Sequence, residues 1–231
     1  MNIIKAGDFQ IGRLEDAALS PKDRAALSAM ANEETAEELA DMLAEADSLA
    51  EPAVLFGVCP VETRESVRIG ELPVDVPLVE EKLRGKSRCF PYVATCGAAL
   101  ENWSRQFKGD FLTEFWAEEI KKRYLQNLSA AFFAHIRECY HTGGYLTAVN
   151  PGSLKGWPVS GQRELFALLG ERDFVEAAIG VRYTDSFLML PTKSISGIAF
   201  ESEVFYENCQ DCPLVRCPNR RAAPKAGEEN L

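Results

Sequence analysis

Gly180-Val181-Arg182-Tyr183-Thr184-Asp185-Ser186-Phe187-Leu188-Met189-Leu190-Pro191-Thr192-Lys193-Ser194-Ile195-Ser196-Gly197-Ile198-Ala199-Phe200 is the run on which the fold turns. Its aliphatic, aromatic and β-branched residues group into three extended segments, 180–184, 187–190 and 194–200, with Pro191 breaking the chain before the last. Ser194, Ser196 and Gly197 are small for a strand interior. Residues that small let another surface approach the backbone closely, which marks this strand as a candidate contact surface.

Upstream, residues 145–149 read as a strand. The irregular stretch Asn150-Pro151-Gly152-Ser153-Leu154-Lys155-Gly156-Trp157-Pro158 follows, and then a short helix over 160–169 with Ser160 as its cap. The irregular stretch has two readings, an ordinary strand-to-helix turn or a ligand-binding loop. Trp157 likewise could offer an aromatic face to a partner or plug the core beside Phe166.

The strongest element lies before these. Asp110 is placed to cap a helix in which Phe111, Phe115, Ile120, Tyr124, Leu128, Phe132, His135 and Cys139 recur at three-to-five spacing down to His141. Gly143-Gly144 ends it. At 1.5 Å per residue it would run roughly 45 Å, long enough to be the spine of a domain. Nearer the N-terminus, Ser20-Pro21 opens a helix to Met30, and Asn32 is placed to cap a second with Leu39, Leu43 and Ala46 on one stripe. Strands are expected at 53–59, 65–69 and 89–95, and helices at 78–83 and 98–107. Helices of unequal length among strands, without regular βαβ alternation, indicate an α+β fold.

The 231 residues are 46% hydrophobic and 26% charged, ordinary values for a globular chain with a core. Lys and Arg total 25 against 35 Asp and Glu, a formal charge of -10, which excludes a nucleic-acid binder that works through a basic face. No stretch is apolar enough to span a membrane, and residues 1–19 lack the apolar core of a signal peptide. Seven cysteines without a secretion signal indicate a reducing compartment, so a cytoplasmic location is expected.

Three of those cysteines fall in Cys209-Gln210-Asp211-Cys212-Pro213-Leu214-Val215-Arg216-Cys217-Pro218. The two-residue interval resembles a metal knuckle, and a cysteine followed by proline resembles iron–sulfur ligation. Cys209, Cys212 and Cys217 are therefore candidate ligands for an iron–sulfur cluster or zinc, with Arg216, Arg220 and Arg221 near enough in sequence to offset thiolate charge. Unligated thiols or a local disulfide are the alternatives. Cys96 is the favoured fourth ligand, whereas Cys59 and Cys139 sit in apolar patterns typical of core residues.

Two segments carry a family resemblance. The Pro-Gly turn with the following helix Glu164-Leu165-Phe166-Ala167-Leu168-Leu169, and the run from Thr184 through Ser186, Met189 and Pro191 to Ser194-Ile195-Ser196-Gly197, together resemble the activation domain of cobalamin-dependent methionine synthase. The resemblance implies a twisted antiparallel sheet flanked by helices, shaped as a crescent that embraces a corrinoid-binding methyltransferase domain. It further implies that S-adenosylmethionine re-methylates the partner's cobalamin after oxidation, with an external reductant supplying the electron. On that pattern the cofactor-binding residues are Asn150, Pro151, Gly152, Lys155, Trp157, Ser194, Ser196 and Gly197.

The chain departs from the family in one charged position. The family has an arginine four residues before the glycine of the Pro-Gly turn, and Ala148 stands there; Ser153 replaces the aromatic after that glycine. The missing guanidinium predicts weak or absent S-adenosylmethionine binding, with Lys155 able to substitute only as a point charge. The resulting division is an activation-domain-like unit over 1–205, a cysteine-rich metal-binding segment over 206–221 and a disordered tail over 222–231. The expected role is an accessory protein for corrinoid methyl transfer. An iron–sulfur electron-transfer module and a scaffold with a zinc knuckle are the alternatives.

Overall fold

Asp110 turns the chain into its longest element. In the computed structural model, which describes residues 1–14, 19–140, 143–154, 156–212, 214, 216, 217 and 220–224, the Asp110 carboxylate accepts from the backbone N–H groups of Leu112 and Thr113 at 3.0 and 3.1 Å. Those are two of the donors that a helix start leaves unsatisfied.

In chain order the elements are β1 (Asn2–Ala6), β2 (Phe9–Arg13), α1 (Pro21–Ser28), α2 (Ala36–Leu49), β3 (Ala53–Phe56), β4 (Cys59–Thr63), β5 (Val67–Ile69), β6 (Leu72–Pro73) and α3 (Pro77–Leu83). There follow β7 (Arg88–Thr95), α4 (Ala98–Ser104), α5 (Phe111–Tyr140), β8 (Tyr145–Val149), α6 (Gln162–Ala167), α7 (Glu171–Ile179), β9 (Arg182–Tyr183), β10 (Met189–Leu190) and β11 (Ser194–Ser202). Ser20 caps α1 as its sequence promised, exchanging bonds with Asp23 in a capping box. Asn32 does not cap α2. It accepts from Thr35 one turn earlier, and α2 starts after Thr35 without a side-chain cap.

The sheet is antiparallel throughout, an α+β arrangement flanked by helices. β7 lies at its centre, with β3 and then the β1–β2 hairpin on one side, and β11 and then β8 on the other. The expected strand over 53–59 is broken at Gly57 and Val58 but keeps one register: Ala53 opposes Thr95 and Cys59 opposes Cys89. β4 then leaves β7 to pair with β5 and β6.

Alternation along the strands sends side chains to opposite faces. Val54 and Phe56 of β3, with Phe90 and Tyr92 of β7, pack under Leu128, Phe132 and Ile136 of α5. Ala53, Leu55 and Val93 face the other way and pack against Phe166, Val175 and Ile179 of α6 and α7. Each of the larger side chains among these, valine upward, stabilises the fold by about 1.5–3 kcal/mol. A third cluster beneath α2, α4 and the first half of α5 contains Leu39, Trp103 and Trp116.

Three regions differ from the sequence expectation. The stretch 180–190 forms only the two-residue ladder of β9 and β10, off the main sheet. The Thr184–Leu188 turn between them takes the residues that would have extended it, with Phe187 at φ 61°. The β1–β2 hairpin and α7 were not expected at all, since the hairpin strands are half-exposed and carry no clean alternation.

Candidate functional site

The Asn150–Trp157 loop and the Ser194–Gly197 stretch of β11 meet, and Asn150 joins them. Its Nδ2 donates to the Ser196 carbonyl at 2.6 Å and to the Tyr92 hydroxyl at 3.1 Å, while its Oδ1 accepts from Asn208 Nδ2. Ser196 Oγ donates to Gln162 Oε1 at 2.8 Å. Five elements or loops are thus tied by one buried polar knot, and every bond in it runs within the chain.

Gly197 explains itself here. A Cβ at that position would stand 2.5 Å from Asn150 Nδ2 and 2.6 Å from the Val149 carbonyl. The surface that approaches the backbone closely is the chain's own loop, so Ser196 and Gly197, both buried, are not open to a partner. Ser194 is half-buried and its hydroxyl donates to the Pro191 carbonyl at 2.8 Å.

The loop itself closes as a tight turn. Gly152, at φ 78°, donates its N–H to the Trp157 carbonyl at 2.8 Å, and Pro151 is buried behind it. Trp157 is 2% exposed, in the cluster with Val79, Leu165 and Ile198, so its ring fills the core rather than facing a partner. Its indole lies over Gly161, where a Cβ would collide with Nε1. It also lines an apolar cavity of about 390 Å³ under β5, β6 and α6. Lys155 lies outside the described residues.

On the opposite face of the knot is a larger cleft of about 720 Å³ between α5 and β8. Tyr92 and Asn150 line it, with Phe133 and Arg137 from α5 and Tyr145 and Ala148 from β8. The chain after β11 closes the third side with Phe205, Glu207 and Arg221. Tyr145 and Phe205 meet edge to face at 5.8 Å, and Arg221 pairs with Glu207 at 2.9 Å. Burial pushes the Tyr92 phenol up to about 12, against lowering by the Asn150 bond and by Arg221, so it stays neutral at physiological pH. Arg137 forms no ion pair among the described residues.

The cysteine segment is organised around an arginine. The Arg220 guanidinium donates to the carbonyls of Cys209, Cys212, Leu214 and Ala222, with Cys212 at 3.0 Å and Leu214 at 2.8 Å. The Arg221 N–H points at Cys209 Sγ at 3.4 Å. Burial raises the Cys209 thiol, but the backbone N–H groups of Arg221 and Ala222 and the Arg221 charge outweigh it and the net shift is downward. Among the described residues no three His, Cys, Asp or Glu side chains converge on a point that could hold a metal. The iron–sulfur or zinc site expected at Cys209, Cys212 and Cys217 is not gathered in this arrangement. In this arrangement the Arg220 guanidinium bonds the segment's backbone carbonyls. Cys96, the favoured fourth ligand, is fully buried in the core cluster under α4. Pro213, Val215 and Pro218, and the tail from residue 225 on, lie outside the described residues.

The segment begins packed against β8. Tyr206 and Asn208 are buried, and the Tyr206 carbonyl accepts from Thr147 Oγ1 of β8 at 2.6 Å.

Among solved structures the chain resembles the crystal structure of the MetH reactivation domain bound to AdoHcy, with a TM-score of 0.58 and 15% sequence identity over 83% of this chain and 70% of that one. The fold is that of the MetH reactivation domain. No family model matches the sequence, and no curated protein matches it either. Within this fold Asn150 and Ala148 were legible as a loop and a departure. Tyr92, Gln162 and Asn208 were not, because their partners lie tens of residues away in sequence; Arg221 was read beside the cysteines, not in a cleft with Glu207. No helix among the described residues is long and apolar enough to cross a membrane.

Proposed function

We propose that the chain is an accessory protein for corrinoid-dependent methyl transfer, which docks on a corrinoid-binding methyltransferase module and supports its reductive reactivation. The supporting observation is the fold shared with a domain whose structure holds AdoHcy, together with a cleft of about 720 Å³ walled by aromatic rings and an arginine–glutamate pair. In this reading the cleft holds S-adenosylmethionine or S-adenosylhomocysteine, a ligand of suitable size for such a volume.

The chain itself supplies little chemistry. A corrinoid bound by the partner would supply the nucleophile and an external reductant the electron, so the residues of this chain would only hold a methyl sulfonium in place and exclude water. Tyr145, Phe133 and Phe205 offer ring faces for an adenine, and the knot behind Tyr92 keeps the floor rigid. An iron–sulfur cluster or zinc, if bound, would be held by the thiolates of Cys209, Cys212 and Cys217 beside the carbonyls that Arg220 bonds.

Sedimentation of the chain with a corrinoid-binding methyltransferase module, its cobalt poised as cob(II), tests the docking. A complex is expected, strengthened by S-adenosylmethionine. Free sedimentation of both proteins in every cobalt oxidation state would end this reading.

A further inference from the structure

Ala148 and Arg221 line one cleft. The first is where β8 carries no charge; the second comes from the far end of the described chain, delivered by the cysteine segment. We propose that Arg221 and Glu207 form the cleft's recognition end for an α-amino-acid group, Arg221 taking the carboxylate and Glu207 the ammonium. The inference rests on the reading that the cleft holds an S-adenosyl ligand, and it names the residues that give that ligand its polar specificity.

The geometry favours a zwitterion over a simple ion. Arg221 and Glu207 already neutralise each other at 2.9 Å. A lone anion would take the guanidinium and leave the carboxylate uncompensated, and a lone cation would do the reverse. A zwitterion laid head to tail against the pair keeps both charges balanced and adds a charge-assisted, fork-shaped contact to the guanidinium. The pair is open enough to receive it, with side-chain exposures of 65% for Arg221 and 27% for Glu207. Beside it, the aromatic residues Tyr145 and Phe205 are 52% and 56% exposed, so a ligand with a polar head and a planar base meets both chemistries within one cleft.

The position of Arg221 is set from outside the cleft. Arg220, its neighbour, is bonded to the carbonyls of Cys209, Cys212, Leu214 and Ala222, and the Arg221 N–H is directed at Cys209 Sγ. Arg220 is therefore a positioning residue: it orients the guanidinium next to it without lining the cleft itself. On this account the cysteine segment is the third wall of the ligand site.

The test is calorimetric titration of the full chain with S-adenosylhomocysteine and with methylthioadenosine, which keeps the nucleoside and thioether but lacks the amino-acid group. The unmodified protein is expected to bind S-adenosylhomocysteine the more tightly. Arg221→Ala should weaken that binding by roughly tenfold to hundredfold, the range of one lost charged hydrogen-bonded contact, and leave methylthioadenosine unchanged. Arg220→Ala should act in the same direction, and Arg221→Lys should lose less than Arg221→Ala. Equal affinity of the unmodified protein for the two ligands, or no change on Arg221→Ala, overturns the inference while leaving the cleft reading intact. Failure of both ligands to bind the unmodified protein overturns the two together.

Discussion

Two regions of this molecule use one polar side chain to hold several pieces of backbone, and they differ in what surrounds it. Asn150 sits beneath the sheet with Tyr92, Ser196 and Asn208 as partners, all of them buried. Arg220 gathers four carbonyls of the cysteine segment in half-buried to exposed positions. Water can replace the bonds of the second but not those of the first, since a polar group stranded in the interior bears its full desolvation cost. The knot should therefore govern global stability, and the clasp local opening and ligand access.

The sharpest way to break that contrast is Asn150→Leu. It strands the Ser196 carbonyl and the Asn208 amide and should lower unfolding stability by about 3 kcal/mol, read from denaturant midpoints at constant m-value. A midpoint unchanged from the parent would mean that the knot is not what holds the Asn150–Trp157 loop to β11. Gly197→Ala follows. Overpacking against Asn150 and Val149 should cost about 1–3 kcal/mol by the same measurement.

Arg220→Ala tests the other side, with an expected global effect within about 1 kcal/mol. Its signature is local: alkylation of native Cys209 and Cys212 should accelerate, whereas Cys89 and Cys96, fully buried, should react only on unfolding in parent and variant alike. Equal acceleration at the buried thiols would show that the segment and the core open as one unit.

The smallest effect is a pH dependence at the core. Burial holds the His135 imidazole below its ordinary 6.5, with the N-terminal charge adding to this and Glu138 opposing it. The unfolded chain therefore binds the proton more readily than the folded one. The stability from neutral His135 is complete above about pH 6.5 and is lost as pH falls through the lower folded value. Against Phe56 at 5.9 Å, His135→Phe should keep the ring contact and flatten this slope in thermal melts between pH 7 and pH 5.

The sequence by itself determined the long helix and its Asp110 cap, the Ser20 cap, the strand at 89–95, the strand at 145–149 and the α+β class. These are local statements, carried by side-chain periodicity and by capping groups a few residues from the backbone they satisfy. It also singled out Asn150, Ser196 and Gly197 as neighbours of consequence, though as an open surface instead of a closed knot. Only the tertiary structure decided that Gly197 is small for the sake of Asn150, that Trp157 faces inward, and that the cysteine loop turns around Arg220. It alone set Arg221 in the cleft beside Ala148, 73 residues earlier in the sequence. Burial and charge pairing of this kind depend on which distant segments the sheet brings together. Neither hydrophobic period nor residue spacing encodes that register locally.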